Sequence, residues 1–275
     1  MEILLPLCFF VFGAIIGSFL NVVILRYNTG EKISGRSHCF SCGKNIAWRD
    51  LIPILSFWLL SGKCRFCKSK ISFQYPLVEL LTGLLFLAVF LRYFPLGFSP
   101  LPTTHYLLQY YPLPYYLLFS TDLFVMALLV VITVYDLRHK IIPDLFAFLL
   151  GALTLVKVLI SGSLIYGLLA GPIVALPFFL LWLFSSGRWI GLGDSKLSLS
   201  IGWFLGLSYG FSAIVLGSWI GAVVGLSLVG IGKLRDRGLN LRFKKLTMKS
   251  EIPYAPFLIA GLLLTYFFSI DLVGL

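Results

Sequence analysis

Two acids in this chain stand out because each lies at the edge of a long apolar stretch. Asp194 sits in Gly191-Leu192-Gly193-Asp194-Ser195-Lys196, between two such stretches. A carboxylate at membrane depth is costly and marks a functional site by default. The two preceding glycines leave room for the backbone to bend or to approach a ligand closely. Asp136 ends another apolar stretch, in Asp136-Leu137-Arg138-His139-Lys140. Two nearby carboxylates cannot both ionise easily, so one keeps its proton while the other acts as base. Such a pair can activate a water and protonate the leaving amine of a peptide bond. No Ser/His/Asp or His-Glu-x-x-His arrangement competes, and His38, His105 and His139 lack metal-like spacing. Taken alone, Asp136 beside Arg138 also fits an ion-paired helix end. Lys196 either tunes Asp194 or reaches toward a phosphate, and the second is the better expectation.

A second cluster is made of thiols. Cys39-Phe40-Ser41-Cys42 and Cys64-Arg65-Phe66-Cys67 are separated by 21 residues. Each Cys-x-x-Cys offers two thiolates to one ion, and two such turns complete a tetrahedron, so Cys39, Cys42, Cys64 and Cys67 are the expected zinc ligands. Four thiolates leave no open position, which makes the expected zinc structural. The surrounding 50 residues are too few to bury a large core, and a metal would staple them. Cys8 reads as a small buried apolar residue.

These groups must be positioned by membrane helices. Of 275 residues, 59% are hydrophobic and 12% charged, with mean hydropathy +0.97; a soluble domain carries about 25% charged residues. The reading is an all-α polytopic membrane protein of about eight transmembrane helices, with a small cytoplasmic four-cysteine zinc domain between helices one and two. The helices are expected at about 3–25, 76–94, 115–135, 143–160, 164–184, 197–207, 209–231 and 253–270. The first is retained, not cleaved as a signal. Residues 26–75 form the zinc domain and residues 76–275 the catalytic domain. The segment 197–207 is too short to cross if it starts at the surface, so either Asp194 already lies inside the membrane boundary or the helix lies in a locally thin or water-filled region; both put the carboxylate in a partly dry, polar cleft, as non-helical backbone at membrane depth requires. Glu79 is either a membrane-embedded acid or a helix-start anion, and Asp144 favours a helix start. Residues 95–114 read as an outer loop, and 233–249 as a basic inner loop in contact with solvent or anionic lipid.

The net charge of +11 does not point to nucleic acid. Of the 22 Lys/Arg, all but Arg92 and Lys157 fall on one side of this topology, as the positive-inside rule requires. Both termini then lie outside, while the four-cysteine segment, Asp136 and Asp194 lie on the cytoplasmic side.

Ordered matches extend along nearly the whole chain: Gly17-Ser-Phe-Leu-Asn-Val-Val23, Arg36-Ser-His-Cys39 with Cys42, Ile52-Pro53 with Ser56, Gly62-Lys63-Cys64 with Cys67, and Tyr75-Pro-Leu-Val-Glu79. The Asp136 turn with Ile142-Pro143-Asp144, Gly191-Leu-Gly-Asp194 with Lys196, and Glu251-Ile-Pro-Tyr-Ala-Pro-Phe257 follow. On these residues the chain resembles the type IV prepilin peptidases, bacterial inner-membrane aspartic proteases of the GxGD class. Phe40 and Leu51 depart from the family's usual proline and asparagine. The resemblance implies that Asp136 and Asp194 are the catalytic pair. It implies cleavage of a basic leader after a glycine, ahead of the apolar helix of a prepilin or pseudopilin. It also implies N-methylation of the new terminus with S-adenosylmethionine, for which no binding residue is evident. The expected partners are that substrate and membrane lipid, with no nucleic acid; the oligomeric state is open. Peptidase activity without methylation is the nearest alternative. A transporter with an acidic pair, Asp122 being the other acid, and a non-enzymatic assembly factor are the remaining ones.

Overall fold

The computed structural model describes residues 4–95, 113–161, 164–236 and 253–274. Nearly all of the expected outer loop, and most of the basic loop 233–249, fall outside the described residues.

The chain is all-helical apart from two isolated β-bridges among the described residues. In order come α1 (Leu4–Arg26), a 3-10 turn (Trp48–Leu51), α2 (Leu55–Leu59), α3 (Gln74–Tyr93), α4 (Leu113–His139), α5 (Asp144–Ser161), α6 (Leu164–Ser185), α7 (Leu192–Leu205), α8 (Leu207–Asp236) and α9 (Ala255–Phe268). Six of these are long and apolar enough to cross a membrane: α1, α3, α4, α5, α6 and the Leu207–Gly230 part of α8. The 14-residue α7 and α9 cover only about 21 Å at 1.5 Å per residue, short of a roughly 30 Å hydrocarbon core. Helices therefore occupy all eight expected positions, and six of them have spanning length.

Two compact units divide the chain, 1–131 and 132–275, with the boundary inside α4. In the first, α1 packs along α3. Small residues on facing sides make the approach close, as their spacing predicts. A Cβ on Gly13 would lie 2.7 Å from the Phe86 Cβ, and one on Gly17 would lie 2.8 Å from the Glu79 Cα. Phe9 stacks on Phe90, with ring centroids 4.6 Å apart, and meets Phe119 edge-on. Asp122 is buried and accepts the Tyr93 hydroxyl at 2.9 Å. Cys8 is exposed, contrary to expectation. In a helix with lipid around it, an apolar residue gains nothing by turning inward, so the burial rule of soluble cores does not apply.

In the second unit α7 touches α5, α6, α8 and α9. Buried Leu197, Ile201 and Phe204 fill its contacts. Gly202 permits a close one, since a Cβ there would lie 2.6 Å from the Ala170 carbonyl oxygen. The short helix that carries Asp194 is thus the one the others surround.

Candidate active site and four-cysteine centre

α4 ends just past Asp136. Lys140 takes a left-handed conformation (φ 56) and its N–H donates to the Asp136 carbonyl at 2.7 Å, closing the helix. The Asp136 side chain is 4% exposed. Its Oδ2 accepts the backbone N–H of Ala255 at 3.2 Å. Ala255 is the first residue of α9, where backbone donors have no partner within the helix. Asp136 therefore acts as a capping anion delivered from another helix.

Asp194 lies in the first turn of α7, which starts at Leu192, five residues before the expected 197. It is therefore helical, not part of an irregular stretch. Gly191 is the N-cap, extended at φ −74 and ψ 149. The Asp194 carboxylate, at the third helical position, turns back toward the Gly191 backbone. Asp136 and Asp194 are within electrostatic range of each other. Each carboxylate thus lies at a helix start, where an anion is favoured.

The two glycines have different tasks, and neither has a positive φ. A Cβ on Gly193 would lie 3.0 Å from the Ile142 Cβ, whereas one on Gly191 would meet nothing closer than 3.7 Å. Gly193 lets the start of α7 close on Ile142, six residues after Asp136. Lys196 Nζ lies 2.5 Å from Asp144 Oδ1 and 4.9 Å from the Phe148 ring centre. Its partner is a side chain of α5. Asp144 begins α5 and holds this lysine as well.

Sequence reasoning expects a helix from about 253 but gives its first residues no part in the site. Tyr254 interacts electrostatically with Asp194, shares a 2.8 Å hydrogen bond with Ser218 and faces Phe178 at 6.1 Å. With Ala255, whose N–H donates to Asp136, it forms one short segment beside both acids. The signal was present as Pro253-Tyr-Ala-Pro256, two prolines framing a helix start. Ser195 is buried beside Asp194, and its hydroxyl has no hydrogen-bond partner among the described residues.

The four cysteines converge as expected. Their Sγ atoms all lie within 4.8 Å of one another, with Cys39 and Cys67 at 3.8 Å. A tetrahedron with metal–sulfur bonds of about 2.3 Å has edges of about 3.8 Å, so the set fits one ion. Both knuckles are the same turn. The Cys39 N–H donates to Lys44 O and the Gly43 N–H to Cys39 O; the Cys64 N–H donates to Ser69 O and the Lys68 N–H to Cys64 O. Gly43 (φ 69) and Lys68 (φ 60) occupy the matching left-handed position, and the bridges His38–Asn45 and Lys63–Lys70 flank the two turns alike. The backbone N–H groups of Ser41 and Cys42 bring the Cys39 thiol down to about 6. Cys42 goes up to about 11: the Lys44 N–H favours its thiolate, but burial and the Cys39 and Cys67 thiols outweigh it. Crowded thiols cannot all ionise without a cation among them. Asp50 and Arg65 pair in two contacts, 2.8 and 2.5 Å, tying the 3-10 turn to the second knuckle. Arg65 holds the Asp50 carboxyl below the usual carboxylate range.

Residues 11–93 match the bacterial peptidase A24 N-terminal domain, and residues 123–226 match the type IV leader peptidase family. The chain is 32% identical over 285 residues to the type 4 prepilin-like proteins leader peptide-processing enzyme of Escherichia coli O78:H11, covering 94% of this chain and 91% of that protein. It is 29% identical over 267 residues to the prepilin leader peptidase/N-methyltransferase of Bacillus subtilis, covering 96% and 95%. Against the protein of that name in Vibrio cholerae it is 32% identical over 227 residues, covering 76% and 81%. No solved structure matches the chain.

Proposed function

From the premise that this chain belongs to the type IV leader peptidase family, and is therefore an enzyme, we propose that it is a membrane aspartic endopeptidase with Asp136 and Asp194 as its catalytic pair. Its substrate is a type IV prepilin or pseudopilin, cut after a glycine that ends a basic leader, at the cytoplasmic face of the inner membrane. Methylation of the new N-terminal amine follows, with S-adenosylmethionine as methyl donor; no residue of this chain is assigned to holding that donor. The relatives' names support the substrate and the methylation.

One observation carries the peptidase reading: two carboxylates from different helices lie within electrostatic range of each other, each at the start of a helix. One carboxylate, ionised, takes a proton from a water as its oxygen bonds to the scissile carbonyl carbon. The other, protonated, donates to the carbonyl oxygen as it becomes a hydroxyl. The tetrahedral diol then collapses: the C–N bond breaks, the amine takes the first acid's proton, and the second acid recovers its own from the diol. Catalysis of this kind is worth about 10²–10⁴-fold. The Ala255 N–H keeps the Asp136 carboxylate oriented through both steps.

Residues 26–75 make up the metal-binding module in this reading, and residues 76–275 carry the peptidase. Cys39, Cys42, Cys64 and Cys67 would hold a zinc ion, which supplies a crosslink between the two knuckles and no chemistry at the acids.

The test is co-expression with a prepilin in membranes, followed by mass analysis of the mature N-terminus. Asp136→Asn and Asp194→Asn should each abolish cleavage, and retained cleavage in either variant overturns the pair. A cleaved but unmethylated product would show a peptidase alone.

A further inference from the structure

We propose that the outward face of α2, with Trp48 beside it, is a membrane-interface anchor that lies in the head-group layer on anionic lipid. This goes beyond the peptidase chemistry and rests only on α1 and α3 crossing the bilayer.

Leu55, Trp58 and Leu59 sit at positions i, i+3 and i+4 of α2, which places them on one face. They are 59%, 67% and 80% exposed, and Trp48 on the adjoining 3-10 turn is 72% exposed. The opposite face is anchored inward: Phe57 lies against Gly62 and meets Phe73 with ring centroids 5.9 Å apart. The helix therefore cannot roll its apolar face under the module without losing that packing.

Depth follows from one hydrogen bond. The Ile54 N–H donates to buried Glu79 Oε2 at 2.7 Å. Ile54 is held at φ 64 and ψ −55, between a Leu55 N–H and a Pro53 carbonyl 2.6 Å apart. This is the strained γ-turn, a conformation that persists only where its surroundings impose it. Glu79 is the sixth residue of α3, about 7 Å along the helix axis from Gln74. α2 begins at the next residue, Leu55, so its exposed face sits near the level where α3 enters lipid. Amphipathic helices bury their apolar face about 5–10 Å into that boundary.

Charge selects the occupant. Residues 26–75 hold nine Lys/Arg and two acids, and both acids are paired, Glu31 with Arg26 and Asp50 with Arg65. The excess is positive, which suits anionic head groups and opposes a basic leader. Tryptophan beside Lys/Arg is the composition of interfacial anchors.

The test uses the full chain in vesicles of phosphatidylcholine and phosphatidylglycerol containing doxyl-labelled lipid. Emission of wild type minus Trp48→Phe/Trp58→Phe isolates the two tryptophans. That difference should be quenched by a shallow label more strongly than by a deep one. Trp219, 60% exposed on α8, should be quenched in both proteins and reports that the helices are embedded. Quenching of the difference by aqueous iodide and by neither lipid label overturns the anchor. So does lipid quenching that appears only when a prepilin is added, which marks a protein-docking face. Equal quenching in phosphatidylcholine alone overturns the role given to the basic residues. Leu59→Glu keeps both tryptophans and should lose the shallow quenching; unchanged quenching also overturns the proposal.

Discussion

The four cysteines and the two aspartates both crowd groups that repel one another when ionised. The cysteine centre is built from two copies of one local turn, each closed by backbone hydrogen bonds within six residues. The acid pair is built from helices 58 residues apart in sequence, and the donor to Asp136 comes from 119 residues further on. One cluster carries its geometry in short peptide segments and needs only a cation. The other has no geometry until the helices around α7 are packed. A local cluster should therefore fail alone, whereas damage to the packed one should spread to whatever positions it.

The widest separation between the two comes from crossing their lesions. Cys39→Ser should remove most of the roughly one bound zinc per chain and melt residues 26–75, while Asp194→Asn should leave the zinc content unchanged and stop cleavage. Metal analysis and prepilin processing on the same two preparations check this; zinc lost from the aspartate variant would merge the two regions into one.

A smaller effect distinguishes the glycines. Gly193→Ala forces a Cβ to 3.0 Å from Ile142, and overpacking of this kind costs about 1–3 kcal/mol. Displacing a catalytic group should lower cleavage about 10- to 100-fold. Gly191→Ala has 3.7 Å of room and an extended backbone, so its cleavage rate should stay near wild type. Equal rates for the two variants would remove Ile142 as the reason for the second glycine.

Weaker still is Lys196→Ala. The Asp144 side chain is 70% exposed, so solvent screens the pair and its loss should cost less than about 1 kcal/mol, read as a small fall in thermal midpoint. The smallest effect belongs to Asp271, where the Ser208 hydroxyl and the Gly274 N–H hold the carboxyl below the usual range. A group with a lowered folded value stabilises fully above its unfolded value of about 3.9 and loses that contribution as pH falls through the folded value. Thermal midpoints should be level down to about pH 4 and then drop, and Asp271→Asn should lose this share of the drop.

The same contrast explains what the sequence reveals. The cysteine centre is legible because a Cys-x-x-Cys turn is local, and the helices are legible because apolar runs are. The start of α7 is misread because a Gly-x-Gly pattern signals a break, when packing against Ile142 is what asks for Gly193. Ala255 and Tyr254 carry no catalytic residue type that would single them out, and their roles exist only once α9 is in place. Lys196 and Asp144 lie 52 residues apart, so no local rule pairs them. The acids themselves are legible, since any carboxylate in so apolar a chain demands an explanation.

The Ala255–Asp136 bond also sets an order in time. A ribosome must add 119 residues after Asp136 before the group that holds its carboxylate exists. During that interval the nascent chain can insert helices beside other membrane proteins without a completed protease among them. If Asp136 and Asp194 are the catalytic pair proposed above, proteolytic competence awaits the helix that begins at Ala255.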